Sequence, residues 1–145
     1  MAWWRRLLCS NTDIVLFKEQ LHWVKHPELV LPNDGPIPFL SFDDECFYRQ
    51  WALDIGQDDA MLETVFECSS AAGIVSGVNA AMGVALLSDR HIRGEMKIMT
   101  ERLPRPPALA YVVRRARKSR NAALDSLVAE IKRSTTPNGR LALAG

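Results

Sequence analysis

The chain has 145 residues, of which 48% are hydrophobic and 24% charged, and its formal net charge at pH 7 is +1. This length supports one ordinary hydrophobic core, and the composition is that of a globular protein. A net charge so close to zero excludes a general attraction to nucleic acid or membranes, and no apolar run is long enough to span a bilayer. The first eleven residues lack the pattern of a secretory signal. Three cysteines without CxxC spacing, Cys9, Cys46 and Cys68, predict reduced thiols in a cytoplasmic protein.

The first third of the chain predicts short strands around a proline-rich loop. Residues 1–12 fit no secondary-structure period, and apolar runs at 13–17 and 20–25 predict two short strands. Four prolines and an Asn-Asp-Gly turn within 26–38 predict a surface loop. The run Ile37–Ser41 then predicts another short strand, with a proline near its start where a missing donor costs least.

A helix is predicted next, from about Asp43 to Ile55. Ser41 and Asp44 have the spacing of a capping box, and three acids, 43–45, fall in the predicted first turn, where the helix dipole favours them. Gly56 follows as the predicted stop. The predicted buried stripe consists of Phe47, Trp51 and Ile55.

The central segment predicts a strand–helix–strand unit. Leu62–Glu67 is a predicted strand, and Ser69 or Ser70 caps a helix that runs to about Ala81. After a Met-Gly turn, Val84–Leu87 is continuously apolar, as expected of a strand covered on both faces. The predicted inner face of the helix consists of Ala71, Ile74, Val75 and Val78.

The last third predicts shorter elements and a terminal amphipathic helix. In chain order these are a helical turn over 88–94, an edge strand over 96–99, a rigid proline connector over 103–107, a strand over 108–115, a helix over 119–133 and a flexible tail over 134–145. The whole pattern predicts an α/β fold with a small mixed, mainly parallel sheet flanked by helices.

Three segments resemble the C-terminal half of the effector-binding domain of LysR-type transcriptional regulators. QLHWVKHPE (20–28) is similar to the strand that crosses between the two effector subdomains. ECSSAAGIVSGVNAAMGVALLSDRHI (67–92) is similar to that family's helix-then-strand segment, and LPRPPALAYVVRRARKSRNAALDSLVAEI (103–131) is similar to its return crossover. The resemblance covers residues 13–133 and implies a periplasmic-binding-protein-like fold of type II, with one effector subdomain and crossover segments of another. It also implies a bacterial protein that takes part in transcription regulation.

The sequence also departs from that family. A winged helix-turn-helix, its linker helix and the first half of the effector domain have no counterpart, and residues 1–12 match none of them. We therefore expect a truncated regulator that touches DNA only through a helix-turn-helix absent from this chain, and that forms a homo-oligomer through the regulatory domain. Ala81 stands where the family has glycine, which predicts a slightly strained helix end.

The expected ligand is a small, possibly anionic effector, and five residues are candidates to bind it. Ser69 and Ser70 open a helix, where unpaired N–H groups attract anions, although serine caps many helices without any ligand. The other three candidates, Ser41, Phe42 and Asp43, end the neighbouring strand, and we expect them to line the same ligand-binding cleft as Ser69 and Ser70. Because the acids at 43–45 repel an anion, helix capping is the alternative reading for them.

No catalytic, metal or cofactor site is expected. His22 and His26 are four residues apart on a strand, where that spacing does not converge on a metal. Cys46 and Cys68 are predicted to be small buried hydrophobes, His91 to be solvated, and the pair 58–59 to be a solubility feature. Seven bases lie between Arg102 and Arg120 without an acid, and we interpret them as a solvated surface rather than a DNA-binding site.

Three alternatives to an effector-sensing domain remain open. A transport-type solute-binding protein would share the fold, but the missing signal sequence and odd cysteine count disfavour it. A remnant domain without independent activity is a further alternative. An α/β enzyme would need a nucleophile–base pair, and only Ser69 and Ser70 lie at a strand end, without a GxSxG elbow or a suitable histidine.

Overall fold

The computed structural model of the chain describes residues 13–56, 61–115 and 121–135. These residues fall into two compact units. The large unit comprises Gln20–Pro107, and the small unit comprises residues 13–19 together with the described part of 108–135. The N-terminal segment 1–12, the acid pair 58–59 and the predicted tail from residue 136 onward lie outside the described residues.

The large unit is built on a mixed sheet with the strand order β3-β2-β4-β1-β5. Strands β2 and β3, and β2 and β4, are parallel, whereas β1 runs antiparallel to both β4 and β5. The mixed sheet predicted from the sequence is therefore confirmed, with equal numbers of parallel and antiparallel pairs among these four. Its elements are β1 (Ile14–Lys25), β2 (Ile37–Ser41), α1 (Phe47–Gly56), β3 (Leu62–Glu67), α2 (Ala71–Asn79), β4 (Val84–Ser88) and β5 (Lys97–Met99).

Strand β1 is longer than predicted, because the two expected strands, 13–17 and 20–25, form one continuous element. The intervening Lys18-Glu19 breaks the apolar pattern but not the extended strand, since strands tolerate polar side chains as long as their N–H and C=O groups find partners. The bounds of β2 and β3 agree with the sequence prediction at both ends. All five residues of β4 are buried, which confirms that both its faces are covered.

Helix α1 begins at Phe47, four residues later than predicted, and the expected capping box does not form. Ser41 belongs to β2, and its hydroxyl donates to the carbonyl of Phe42 at 2.8 Å, so it caps no helix. The amide of Cys46 donates to the carbonyl of Asp43 at 3.1 Å and closes a turn ahead of the helix. The three acids therefore lie outside the first helical turn, which contains no acidic residue.

Two apolar layers form the core, one on each face of the sheet. On one face, Ile74 and Val78 of α2 pack in a cluster of buried residues that also contains Val24, Leu40, Ala85 and Leu87. Trp23 points to the opposite face because successive strand residues alternate. There its ring lies 6.1 Å from that of Phe39 and 6.0 Å from that of Trp51 on α1. The sheet is thus covered by one helix on each side.

Helix α2 ends in a Schellman motif with alanine at the left-handed position. The amide of Met82 donates to Gly77 and that of Ala81 donates to Val78, which satisfies two carbonyls of the last turn. Ala81 has φ +55°, a conformation that glycine adopts without cost and alanine does not. The strain predicted from the sequence is confirmed.

Replacing Ala81 with glycine should therefore stabilise the protein by about 0.5–1 kcal/mol. The left-handed conformation costs an L-residue about 1–2 kcal/mol. Glycine removes this strain, but its greater conformational freedom in the unfolded chain offsets part of the stabilisation. Ala80→Gly is the matched control, because Ala80 has φ −83° and gains nothing from glycine. Urea denaturation of both variants measures the difference. Equal destabilisation by both substitutions would contradict this account.

The small unit consists of the first half of β1, β6 (Ala108–Val113) and α3 (Ala122–Thr135). Strand β6 pairs with β1, and the rings of Phe17 and Tyr111 stack at a centroid distance of 4.3 Å. On α3, Val128 is buried but Leu127 is 54% exposed, so the apolar face of this amphipathic helix is only partly covered. No helix among the described residues is long and apolar enough to cross a bilayer.

Part of the basic run is neutralised by ion pairs within the small unit. Arg114 binds both carboxylate oxygens of Asp13 at 2.7 and 2.8 Å, and Arg115 pairs with Asp125. Both guanidinium groups therefore have acidic partners within the small unit. Residues 116–120 of the run lie outside the described part of the chain.

Candidate functional site

The carboxyl ends of three strands meet at one edge of the large unit. Strands β2, β3 and β4 point in the same direction, so the residues that follow them lie side by side. Ser41 is paired with Glu67 at the end of the β2–β3 ladder, and the amide of Cys68 donates to the Ser41 carbonyl at 3.0 Å. This last bond places Phe42 beside the residues that open α2. Ligands of open α/β sheets bind at such an edge.

Ser70 is the N-cap of helix α2. It has extended backbone angles, and its hydroxyl accepts a hydrogen bond from the amide of Gly73 at 3.1 Å. The first bond of the helix runs from the Ile74 amide to the Ser70 carbonyl, so the amides of Ala71 and Ala72 precede the helical ladder. The sequence prediction of a serine cap is therefore confirmed, with Ser70 in that position.

Ser69 differs from its neighbour. Its side chain is exposed, and within the described ranges no residue forms a hydrogen bond with its hydroxyl. The Ser70 hydroxyl therefore caps the helix, whereas the Ser69 hydroxyl is exposed to solvent beside the first amides of α2.

The other three predicted residues lie on the β2 side of the same edge. Ser41 is 0% exposed, and its hydroxyl is engaged by the Phe42 carbonyl. Phe42 is half-buried, and its ring packs edge-on against that of Tyr48 at 5.6 Å. Asp43 is half-buried at the turn that leads into α1. The structure brings all five predicted residues to one edge, with Ser41 beneath its surface.

Arg49 links the α1 side of this edge to the end of β3. From α1, its guanidinium pairs with Asp44 at 2.8 Å and with Glu67 at 2.6 Å, and it also donates to the Phe42 carbonyl at 3.2 Å. The Arg49 side chain is only 19% exposed, whereas Asp44 is 85% and Glu67 51% exposed, so water screens both ion pairs from the carboxylate side. The carboxylate that ends β3 is therefore neutralised next to Cys68.

The edge continues to β4 and β1 with a polar cluster that sequence reasoning missed. Nε2 of His22 lies 2.6 Å from a carboxylate oxygen of Asp89, and the other oxygen accepts the amide of Gln20 at 3.1 Å. Ser88 and His91 interact at 3.3 Å between Oγ and Nδ1. The signal that pointed to Ser69, a polar residue close behind a predicted strand, also marks Ser88 and Asp89. The histidine partner of Asp89 on β1, His22, depends on the antiparallel pairing of β1 with β4.

Cys68 is not the buried hydrophobe predicted from the sequence, since its side chain, like that of Cys46, is partly exposed. Its sulfur lies 3.6 Å from the Ser70 hydroxyl. Hydrogen bonds from the Ser70 amide and hydroxyl favour the thiolate and lower the pKa of the Cys68 thiol below its ordinary value. Space for this sulfur exists because residue 73 is glycine: a Cβ there would lie 2.2 Å from it.

The lowered pKa predicts that Cys68 reacts with alkylating reagents at lower pH than an unperturbed thiol does. Because the thiolate is the nucleophile, a lower pKa moves the whole pH–rate curve toward acid. Ser70→Ala should shift the curve back toward alkaline pH, whereas Ser69→Ala should leave it unchanged. Mass spectrometry of iodoacetamide labelling across pH measures both variants. An inflection that matches that of the denatured protein would refute the prediction.

Comparison with known proteins agrees with this architecture. The family model of the LysR substrate binding domain matches residues 11–136. The regulatory domain of a HypT mutant from Salmonella typhimurium is similar, with 17% identity and a TM-score of 0.67 over 84% of this chain and 66% of that one. The regulatory domain of CcmR from Synechocystis, solved in complex with 2-PG, has 16% identity and a TM-score of 0.59 over 86% of this chain and 67% of that one.

DarR from Vibrio fischeri, solved in complex with DNA, shares 18% identity and a TM-score of 0.60 over 88% of this chain and 47% of that one. The chain thus spans about two-thirds of the regulatory domains, and about half of the full-length regulator, to which it is similar. No curated protein matches the sequence. These structures share the fold at low identity, and the family model covers most of the chain. The chain belongs to the family of LysR substrate-binding domains, with their periplasmic-binding-protein-like fold of type II.

Proposed function

We propose that this chain is the effector-sensing part of a LysR-type transcriptional regulator and binds a small anion at the carboxyl edge of β2 and β3. The ligand contacts the Ser69 hydroxyl and the amides of Ala71 and Ala72, and Phe42 borders it on the β2 side. The observation that carries this proposal is the exposed Ser69 hydroxyl, which has no partner within the described ranges, next to a helix start that Ser70 already caps. A bound anion there gains charge-assisted hydrogen bonds and the positive end of the helix dipole.

The charges around the edge favour the α2 side for an anion. Glu67 is the acid nearest to Cys68 along β3, and its pairing with Arg49 at 2.6 Å removes most of its repulsion. On the other side, Asp43 and the exposed Asp44 lie near the start of α1 and disfavour an anion there. We therefore place Asp43 at the border of the site, where it limits how far a ligand extends toward α1.

The proposed partners follow from family membership. The regulators similar to this chain include one solved with 2-PG and one solved with DNA, which supports a small-molecule effector and a place in transcription regulation. We propose that the chain associates with itself through the regulatory domain. We also propose that it reaches DNA only through a helix-turn-helix outside the segment described here, acts in the cytoplasm, and binds its ligand without transforming it.

A thermal-shift screen of small carboxylates and phosphates tests the anion site. A ligand at about 100 times its Kd stabilises the folded state by about 2.7 kcal/mol. Ser69→Ala should abolish this stabilisation and leave the melting temperature of the free protein unchanged. Ser70→Ala should lower the melting temperature of the free protein, because losing an N-cap costs about 0.5–2 kcal/mol.

Ser76→Ala is the matched control for both substitutions. Ser76 lies on the same helix, is exposed, and its hydroxyl donates only to the Ala72 carbonyl of its own helix at 3.0 Å. It should leave both the free protein and the ligand response nearly unchanged. An anion that stabilises the Ser69 variant as much as the unmodified protein would place the site elsewhere.

A further inference from the structure

A cavity lies beneath the proline-rich connector of the large unit. Its walls are residues 20–23 of β1, the end of β5 with residue 100, and residues 103–106 of the connector. The volume is about 480 Å³, within the range of small-molecule sites. All lining residues belong to the large unit, and none of the five residues proposed above is among them.

The cavity exists because the connector cannot close onto β1 as a strand. Three of its residues, Pro104, Pro106 and Pro107, have no N–H to donate to a ladder. Strand β1 holds the connector by its carbonyls instead: Trp23 Nε1 donates to Pro104 at 2.9 Å, Gln20 Nε2 to Pro106 at 3.0 Å, and the Leu21 amide to Pro107 at 3.3 Å. The connector is thus hydrogen-bonded to β1 at both of its ends, and the cavity lies between the connector and the strand.

The lining combines apolar walls with one available cation. The apolar walls include the partly exposed Met99 and Leu103 and the buried Leu21 and Trp23. Trp23 is held in place by its contacts with two other aromatic rings. Arg105 also lines the cavity, and within the described ranges it has no carboxylate at ion-pair distance. No lining residue is acidic. The charge of this cavity is therefore complementary to an anion with an apolar body.

We propose that this cavity is a second ligand site that takes a small organic acid, with its apolar part against Met99 and Leu103 and its carboxylate on Arg105. The basic His22 is not the anchor, because its Nε2 is already 2.6 Å from Asp89. This site uses neither Ser69 nor α2, so its test is independent of the test of the anion site proposed above.

Titration of the full chain with 2-naphthoate tests this proposal, followed by the indole N–H signals of the tryptophans in NMR. The Trp23 signal, identified by its loss in Trp23→Phe, should move in a saturable manner at ligand concentrations of about 1 mM or below. Arg105→Gln should weaken 2-naphthoate binding about fivefold or more, because a charge-assisted hydrogen bond is lost at a partly solvated site. Arg93→Gln is the matched control, since Arg93 is exposed in the same unit and does not line the cavity.

The uncharged 2-naphthamide separates the carboxylate from the apolar body. It should bind the unmodified protein about as weakly as 2-naphthoate binds the Arg105→Gln variant, and the Arg105→Gln substitution should not change its affinity. The proposal is overturned if the Trp23 signal does not move with 2-naphthoate. It is also overturned if Arg105→Gln changes the affinity by less than about twofold, or as much as Arg93→Gln does.

Discussion

Replacing Trp23 with alanine should lower the free energy of unfolding by about 3–5 kcal/mol, the range for truncating a buried aromatic residue. Trp23 is 1% exposed and packs against Phe39 and Trp51, and its indole N–H holds the Pro104 carbonyl at 2.9 Å. The substitution therefore removes part of the packing between the sheet and α1, and it frees one end of the connector at the same time. Since a domain of this size has about 5–15 kcal/mol of stability in total, this loss is a large fraction of the free energy of unfolding.

Urea denaturation followed by circular dichroism measures this effect. Val30→Ala is the control, because Val30 is 89% exposed and its truncation should change stability by less than about 0.5 kcal/mol. Trp23→Phe should fall between the two, since it keeps an aromatic ring and loses the hydrogen bond to Pro104. If Trp23→Ala denatures at the same urea concentration as Val30→Ala, the packing described for this face is wrong.

Gly73→Ala should destabilise the protein although alanine is the better helix former. A Cβ at this position would lie 2.2 Å from the Cys68 sulfur, a distance that forces the sulfur out of its position beside Ser70. Overpacking of this kind costs about 1–3 kcal/mol, and the gain in helix propensity of up to about 1 kcal/mol offsets part of it. We therefore expect a net loss of about 1–2 kcal/mol.

A double-mutant cycle tests whether the sulfur is the cause. With Cys68→Ala in place, the nearest atoms to the new Cβ are Ser70 Oγ at 3.2 Å and the Cβ of residue 68 at 3.3 Å, so Gly73→Ala should become neutral or stabilising. Gly83→Ala is the matched comparison, because its Cβ would lie 2.8 Å from the backbone oxygen of Pro38. No side-chain substitution relieves that clash, and Cys68→Ala should not rescue it. Equal rescue of both glycine variants would show that the effect is not local to Cys68.

The elements predicted best are those whose signals are local in sequence. The bounds of β2 and β3 agreed with the prediction because proline, glycine and polar residues mark their ends within a few positions. The same holds for the start of α2, where one hydroxyl reaches an amide three residues ahead. Ala81 belongs to this group as well, since the conformation of a helix end depends only on the last turn.

The start of α1 shows where local reasoning fails. Ser41 and Asp44 have the spacing of a capping box, yet Ser41 is the last residue of a buried strand between two parallel neighbours. The backbone of Ser41 is hydrogen-bonded within the sheet, and its hydroxyl donates to the Phe42 carbonyl, so the helix begins only after the chain has left the sheet. The residue types around Ser41 do not reveal this sheet pairing, because the paired strands lie elsewhere in the sequence.

The sequence by itself determined the class of fold, the strand–helix–strand unit and the place where a serine caps α2, because hydrophobic period, turn residues and caps act over a few residues. The tertiary structure decided which polar groups meet. His22 and Asp89 are 67 positions apart and come together only because β1 lies antiparallel to β4. Arg49 reaches Glu67 because β3 pairs with β2, and the cavity beneath the connector exists because Gln20 and Trp23 hold its carbonyls. Each of these contacts depends on the order and direction of strands in the sheet, which the burial of many side chains sets together and no single segment encodes.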